Sequence, residues 1–149
     1  MRCWICGGTA DSQEHSAKAS DVREHLGKVQ NGPLYKHTDT TLNERIPSIE
    51  SKKLTFRTPI CQKCNNQLTQ PYDKAWELLS KYLGDHGSII VKKGYFDLSK
   101  VFPKDTCKHA LHVHLYFVKL LGCKLIDEGN VRINIGGFSQ ALLCGWLHS

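Results

Sequence analysis

Four cysteines of the 149-residue sequence have the spacing of metal ligands. Cys3 and Cys6 form one C-x-x-C pair, and Cys61 and Cys64 form a second pair much later in the chain. Each pair presents two thiolates from one turn, so the two pairs together supply the ligands of a tetrahedral structural zinc site. A redox-active C-x-x-C normally occurs once, at a helix start in a βαβ unit, and neither condition fits here. The spacing therefore predicts a structural Zn²⁺ that ties two distant segments together.

Residues suited to phosphodiester hydrolysis stand close to both cysteine pairs. The dipeptide Glu14–His15 lies between the pairs, and Asn65 and Asn66 follow the second pair directly. Zinc would hold the segment that carries His15 against a helix beginning at Asn65. Glu14 and an asparagine oxygen could then bind a divalent metal, Mg²⁺ or Mn²⁺, because both offer hard oxygen ligands. The metal would neutralise the scissile phosphate, and the imidazole of His15 would deprotonate a water molecule.

The order C-W-I-C, E-H and C-Q-K-C-N resembles the HNH endonucleases of the ββα-metal, treble-clef type over about residues 3–70. The resemblance implies that His15 is the general base, that Glu14 and Asn65 are ligands of the catalytic metal, and that the four paired cysteines hold a structural zinc. The family usually has a central Asn before the second cysteine pair, where this sequence has Phe56. Compact members occur in phages, mobile elements and bacterial defence systems, which is a family association only.

The charge of the chain favours a polyanionic partner. The formal net charge is +6 and the isoelectric point is near 9.0. Arg57 and Lys63 flank the second cysteine pair and are the cations best placed to contact phosphates. DNA is the expected partner, with RNA possible. The alternative is a non-catalytic, degenerate HNH module that uses its zinc fold to bind nucleic acid or a partner protein.

A coarse pattern of helices and strands surrounds these residues. A short helix is predicted within 16–28, with Ser20 as its N-cap and Gly27 as its stop. Two or three strands with a long loop are predicted within 29–60. An apolar stripe with helical spacing predicts a helix that starts near Thr69 and ends at Gly84. The later segments are predicted as an extended piece at 88–91, a helix over about 104–121, and a strand, glycine turn and short helix in the tail.

These elements predict an α+β fold with two parts. Residues 1–84 would form the zinc-stapled treble-clef module with the nuclease site. Residues 85–149 would form a mainly helical C-terminal region of unknown role, which could carry the surface for a protein partner. Trp4, inside the first cysteine pair, is expected to pack against the zinc lobe rather than to stack on a base.

The remaining cysteines and the hydropathy indicate the compartment. The total of seven cysteines is odd, and the sequence shows neither a secretory signal nor an apolar run of membrane-spanning length. A reducing, cytoplasmic setting without a membrane partner is therefore expected. Cys107, Cys123 and Cys144 are predicted to be buried core thiols. His109, His112 and His114 near Cys107 are interpreted as part of an amphipathic helix and not as a second metal site.

Overall fold

A computed structural model describes residues 1–26, 34–39, 41–49, 51–129 and 133–145. In chain order, these residues form α1 (Ala19–Leu26), β1 (Leu34–Lys36), β2 (Glu44–Ile46), α2 (Gln70–Lys93), α3 (Thr106–Asp127) and α4 (Gly136–Cys144). β1 and β2 pair in antiparallel register, with Tyr35 opposite Arg45. The described part of the chain is mainly helical with a small two-stranded sheet, which confirms the mixed character of the predicted fold.

The N-terminal segment lies antiparallel to the segment that leads into the second cysteine pair. Isolated bridges join Ser12 to Ile60 and His15 to Thr55, and the Ser12 N–H donates to the Ile60 carbonyl at 2.9 Å. These bonds satisfy backbone groups of both segments. They also fix His15 in register with the chain that precedes the second pair.

α1 follows directly after this segment and confirms the helix predicted within 16–28. The helix begins at Ala19, so Ser20 lies in its first turn and is not the residue preceding the helix. The carboxylate of Asp21 accepts a hydrogen bond from Trp76 Nε1 at 2.5 Å. This bond attaches α1 to α2. The predicted stop at Gly27 lies outside the described residues.

α2 begins as predicted and ends later than predicted. Thr69 precedes its first residue and Pro71 stands in its first turn, where the missing N–H costs nothing. The predicted end at Gly84 is wrong, because the helix continues to Lys93. A glycine inside a helix costs only about 1 kcal/mol relative to alanine, which does not terminate a long helix. The true stop is Gly94, whose φ of 74° is the left-handed conformation typical of a helix end. Residues 88–91 are consequently helical and not extended.

The main hydrophobic core joins the cysteine-bearing segments to the later helices. Tyr72 of α2 and Leu142 of α4 are fully buried, and the Tyr72 hydroxyl donates to the Leu142 carbonyl at 3.0 Å. The same cluster contains Ile5, which lies inside the first cysteine pair, Ile60, which directly precedes the second pair, and Leu115 of α3. α3 confirms the helix predicted over 104–121 and extends it to Asp127. The N-terminal segment thus shares one core with α2, α3 and α4.

α3 approaches the first cysteine pair most closely at Gly122. A β-carbon at this position would lie 2.3 Å from Cη2 of Trp4, so only glycine leaves room for the indole ring. Two further bonds join α3 to the segment before the second pair. The Thr58 hydroxyl donates to the Cys123 carbonyl at 2.6 Å, and the Arg57 N–H donates to Asp127 at 2.8 Å. Trp4 therefore packs against α3.

The remaining predictions are confirmed in part. The strands predicted within 29–60 correspond to β1 and β2, while residues 27–33, 40 and 50 lie outside the described residues. The short apolar helix of the tail corresponds to α4. The predicted tail strand is not found at 133–135, and residues 130–132 are outside the described part. Among the described helices, none is both long enough and apolar enough to cross a membrane.

The contact between Trp4 and Gly122 predicts the effect of two glycine substitutions. Gly122→Ala should lower the free energy of unfolding by about 1–3 kcal/mol. The rigid indole cannot move away easily, because the backbone N–H of Trp4 is bonded to the Pro59 carbonyl. Gly87→Ala in α2 is the matched control, since nothing lies within 4 Å of the added β-carbon. The control should gain up to about 1 kcal/mol from helix propensity. Urea unfolding measures both, and equal gains would contradict the packing of Trp4 on α3.

Candidate metal centre and the adjoining polar pocket

The four paired cysteines converge on one point. Their sulfur atoms all lie within 4.8 Å of one another, and the Sγ atoms of Cys6 and Cys61 are 3.7 Å apart. Two sulfurs bound to one tetrahedral zinc at about 2.3 Å are separated by about 3.8 Å, so the observed separation fits shared coordination. Cys3, Cys61 and Cys64 are buried, whereas Cys6 is exposed at the surface of the cluster. The cluster could therefore hold one structural zinc ion.

The first cysteine pair sits in a tight backbone loop. The Gly7 N–H donates to the Cys3 carbonyl at 2.8 Å, and the Cys3 N–H donates to the Gly8 carbonyl at 2.6 Å. Gly7 has a φ of 75°, which side chains rarely tolerate. A β-carbon on Gly8 would lie 3.4 Å from Cys6 Sγ. The two glycines after the pair thus allow the backbone to close around the sulfurs.

Three of the four clustered thiols have shifted pKa values. The Gly8 backbone N–H lowers the pKa of Cys6 to about 7, whereas burial raises the pKa values of Cys61 and Cys64. The Cys64 N–H also donates to Cys61 Sγ at 3.3 Å. Burial disfavours the thiolate form of these cysteines. A zinc ion deprotonates its thiol ligands outright, so zinc binding would outweigh the effect of burial.

A polar pocket of about 320 Å³ adjoins the cysteine cluster and contains His15. Glu14 and Asn65 line the same pocket, so the structure brings the three predicted catalytic residues together. The hydroxyl of Ser20, another lining residue, is buried without a hydrogen-bond partner among the described residues. The other lining residues are Lys18, Ala19, Arg23, Asn66, Asp73 and Glu77. A cavity with this lining can accept a charged ligand.

Asn65 fixes the segment that carries the Glu14–His15 dipeptide. Its Nδ2 donates to the Gln13 carbonyl at 3.0 Å and to Ser12 Oγ at 3.1 Å. Because a carbonyl only accepts, these contacts assign the amide nitrogen and leave Oδ1 on the other side. Asn65 Oδ1 has no hydrogen-bond partner among the described residues. Asn65 therefore braces the loop, at a place where Phe56 offers only its backbone N–H to the Glu14 carbonyl.

Glu14 is held by a lysine from α3. Lys119 is fully buried, and its Nζ lies 2.9 Å from Glu14 Oε2 and 2.8 Å from Asp73 Oδ1. Burial raises the pKa of Glu14, and the ammonium opposes part of that rise. Burial would lower the pKa of Lys119, but the carboxylates of Glu14 and Asp73 outweigh it and the net direction is upward. The ion pair leaves Glu14 Oε1 without a hydrogen-bond partner in the described part of the chain.

Arg57 and Lys63, the predicted phosphate contacts, do not line the pocket of His15. Arg57 is exposed and lies 3.4 Å from Asp127, so it already has an ion-pair partner. Lys63 is exposed beside the second cysteine pair. A phosphate bound by either residue would therefore lie outside the pocket that contains His15.

The pocket contains charged residues that sequence reasoning did not single out. Lys18 lies 3.1 Å from Glu77 and donates to the Asp73 carbonyl at 3.0 Å. Arg23 completes the cationic part of the lining. The local signal was the K-A-S-D-V-R run of residues 18–23, shortly after His15, which was interpreted only as a helix. Lys119 had no such signal, because it stands among apolar residues of α3.

The three unpaired cysteines have different surroundings. Cys123 is fully buried, and burial raises the pKa of its thiol to about 12, which confirms it as a core thiol. The same prediction is wrong for Cys107 and Cys144, which are exposed because each falls on the outer side of its helix. Among the described residues, the paired cysteines form the sole group of Cys, His, Asp or Glu side chains arranged to hold a metal.

The histidines of α3 are packed against aromatic rings. The rings of His109 and Phe102 stack at 4.8 Å, and those of His112 and Tyr72 lie 5.4 Å apart. Burial lowers the pKa of His112, which favours a neutral, packed imidazole.

Comparison of the chain with protein-family models, with curated proteins and with solved structures found no match.

The cysteine geometry predicts one tightly bound zinc per chain. Cys61→Ala should abolish stoichiometric zinc and lower the free energy of unfolding by about 4 kcal/mol or more, because three thiols would remain clustered without their shared ion. Cys107→Ser, which changes an exposed thiol away from the cluster, should leave the zinc content unaltered. Elemental analysis and thermal unfolding with and without a chelator make the comparison. A metal-free wild type whose unfolding ignores the chelator would exclude the zinc site.

Proposed function

We propose that this protein is an HNH-type endonuclease that hydrolyses phosphodiester bonds in DNA. One observation carries the proposal: His15 shares a pocket with Glu14 and Asn65, and each of these two side chains keeps one oxygen without a hydrogen-bond partner among the described residues. The four-cysteine cluster, as a zinc-stapled treble clef, would set the two segments of this pocket against each other. The zinc would add to the backbone bridges and to the Asn65 contacts that already hold His15 near Asn65.

The residues present fit a hard divalent cation. Glu14 Oε1 and Asn65 Oδ1 would hold Mg²⁺ or Mn²⁺, since carboxylate and amide oxygens are the ligands these ions prefer. The other polar atom of each side chain is held by the protein: Glu14 Oε2 contacts Lys119, and Asn65 Nδ2 donates to the Gln13 carbonyl. Such outer contacts are typical of metal sites. When bound, the metal supplies positive charge against the scissile phosphate and the leaving oxygen.

The chain's own residues would carry the proton and hold the substrate. His15 takes a proton from a water molecule, and the resulting hydroxide attacks the phosphorus. The bond from phosphorus to the leaving sugar oxygen then breaks, and that oxygen takes a proton from solvent. The bridge to Thr55 holds the backbone of His15 while the proton moves. Lys18 and Arg23 are the cations of the lining, where they stand against the carboxylates of Glu14, Asp73 and Glu77, and Lys18 is paired with Glu77 at 3.1 Å.

The second candidate is a non-catalytic zinc module that binds nucleic acid or a partner protein. The contact between Lys119 and Glu14 favours it, because an ammonium at 2.9 Å weakens the attraction of this carboxylate for another cation. In this case, the exposed surface around Lys63 or the residues 85–149 would carry the partner. Direct measurement of cleavage separates the two candidates.

Replacement of the proposed base predicts a large loss of cleavage with little loss of structure. His15→Ala should reduce plasmid nicking by about 10²–10⁴-fold at saturating Mn²⁺, because a general base typically contributes that much. Glu14→Ala and Asn65→Ala should instead raise the Mn²⁺ concentration needed for half-maximal nicking, since they remove ligands. His114→Ala, an exposed histidine of α3, is the matched control and should cleave like wild type.

The outcomes of this experiment discriminate between the two candidates. Zinc content and circular dichroism should be unchanged in His15→Ala. Absence of metal-dependent cleavage of DNA or RNA by the wild type would favour the binding module. Cleavage that survives His15→Ala would remove His15 from the mechanism.

The surface cations predict how binding responds to salt. Lys63→Ala should reduce the slope of log affinity against log salt by about one unit, because each neutralised phosphate contributes about −0.9 on duplex DNA. Arg57→Ala should have a smaller effect, since Asp127 already neutralises part of its charge. Lys104→Ala, an exposed lysine outside the site, serves as the control. Fluorescence anisotropy between 50 and 200 mM salt would test this. If none of the three substitutions changes the salt slope, the nucleic-acid interface does not include Lys63 or Arg57.

A further inference from the structure

We infer that Lys119 is a positioning residue of the site, so that α3 acts on the pocket that contains His15 through two lining residues, Glu14 and Asp73. The inference rests on the proposed function. Lys119 Nζ contacts Glu14 Oε2, Asp73 Oδ1 and, at 3.3 Å, Thr69 Oγ1. An ammonium has three N–H groups, and each has a protein acceptor. None is left for a substrate, so Lys119 acts through the residues that it holds.

Burial of this ammonium is not explained by stability alone. Lys119 is fully buried, and its neighbours along α3, Leu115 and Cys123, belong to the core. Removing an ammonium from water costs several kcal/mol, and ion pairs of this kind are often no more stabilising than apolar residues of similar volume. An apolar residue would fill the same space and leave the carboxylates of Glu14 and Asp73 free to turn towards solvent. The lysine prevents that movement.

The consequence of the ion network is a fixed orientation of Glu14. Because Oε2 is bound behind the pocket, Oε1 is the oxygen that remains for a metal. The same ammonium holds Asp73 of α2, and both carboxylates line the pocket. One buried charge thus sets the N-terminal segment, α2 and α3 in register at the site. The positive charge also limits the net negative charge that the two carboxylates present to a phosphate.

The test compares the Mn²⁺ requirement of variants at position 119, measured as the midpoint of nicking and, independently of cleavage, as the Kd for Mn²⁺ of the zinc-loaded protein by calorimetry, in which the same shifts are expected. Lys119→Met should raise the Mn²⁺ concentration for half-maximal nicking by about tenfold to a hundredfold, the range typical of lost outer contacts at metal ligands. Lys119→Arg keeps the charge and should fall between wild type and Lys119→Met. Lys124→Met, which removes an exposed lysine from the same helix, should not shift the requirement. A purely structural lysine would lower the folded fraction and leave the Mn²⁺ midpoint of the folded molecules unchanged.

A second pair of variants covers the case in which Lys119→Met does not fold. Asp73→Asn/Lys119→Met leaves a single carboxylate beside the apolar side chain, and Asp73→Asn alone is its reference. The double variant should need at least tenfold more Mn²⁺ than this reference. An unchanged midpoint in an active wild-type background would overturn the role of Lys119 and leave the nuclease proposal standing. An inactive wild type would overturn both.

Discussion

The convergence of four cysteine sulfurs is the constraint from which the rest of the N-terminal structure follows. Three of these sulfurs are buried, and all four lie within 4.8 Å of one another. Such a cluster is costly as separate thiolates and favourable around one divalent ion. Once the two pairs meet, the segment after Cys6 must run beside the segment before Cys61. The bridges at Ser12 and His15 are the result of that geometry. The position of His15 therefore depends on a cysteine cluster that is not itself part of the pocket.

The buried ammonium of Lys119 connects this N-terminal arrangement to the long helices. The hydrophobic core already passes from Ile5 and Ile60 to Tyr72 and Leu142 without a break. The ion pairs of Lys119 join the same parts of the chain, because they connect Glu14 of the N-terminal segment to α3 and to Asp73 of α2. Apolar packing fixes how closely the helices approach, whereas charged hydrogen bonds fix the direction of individual side chains. A site that binds ions requires the second kind of order.

Local signals in the sequence were sufficient for the cysteine cluster and for most helices. The C-x-x-C spacing reports a turn that is complete within a few residues, and the apolar stripe at Tyr72, Ala75 and Leu79 reports one helix face. Gly84 misled the prediction of a helix end, because a single glycine is a weak breaker. Gly94 was the stronger stop, since it takes the left-handed conformation there.

Long-range pairings had no local signal. Lys119 occupies a position in α3 that gives no sign of its partners, since Glu14 and Asp73 are distant in the sequence. The exposure of Cys107 and Cys144 likewise depends on which side of each helix meets the core, and apolar neighbours in the sequence do not decide that. The bracing role of Asn65 could not be anticipated either, because the pattern pointed only to its oxygen as a ligand.

The dependence of the pocket on Lys119 has a consequence for the order of events during synthesis. A ribosome releases Glu14 and His15 early, and the second cysteine pair follows, so the metal cluster can close on a partial chain. The carboxylates of Glu14 and Asp73 then face water until α3 emerges with Lys119 and inserts between them. A nascent chain can thus bring its four cysteines together well before the pocket that contains His15 is ordered. Under the proposed function, a chain that still lacks α3 would have no ordered site for cleavage.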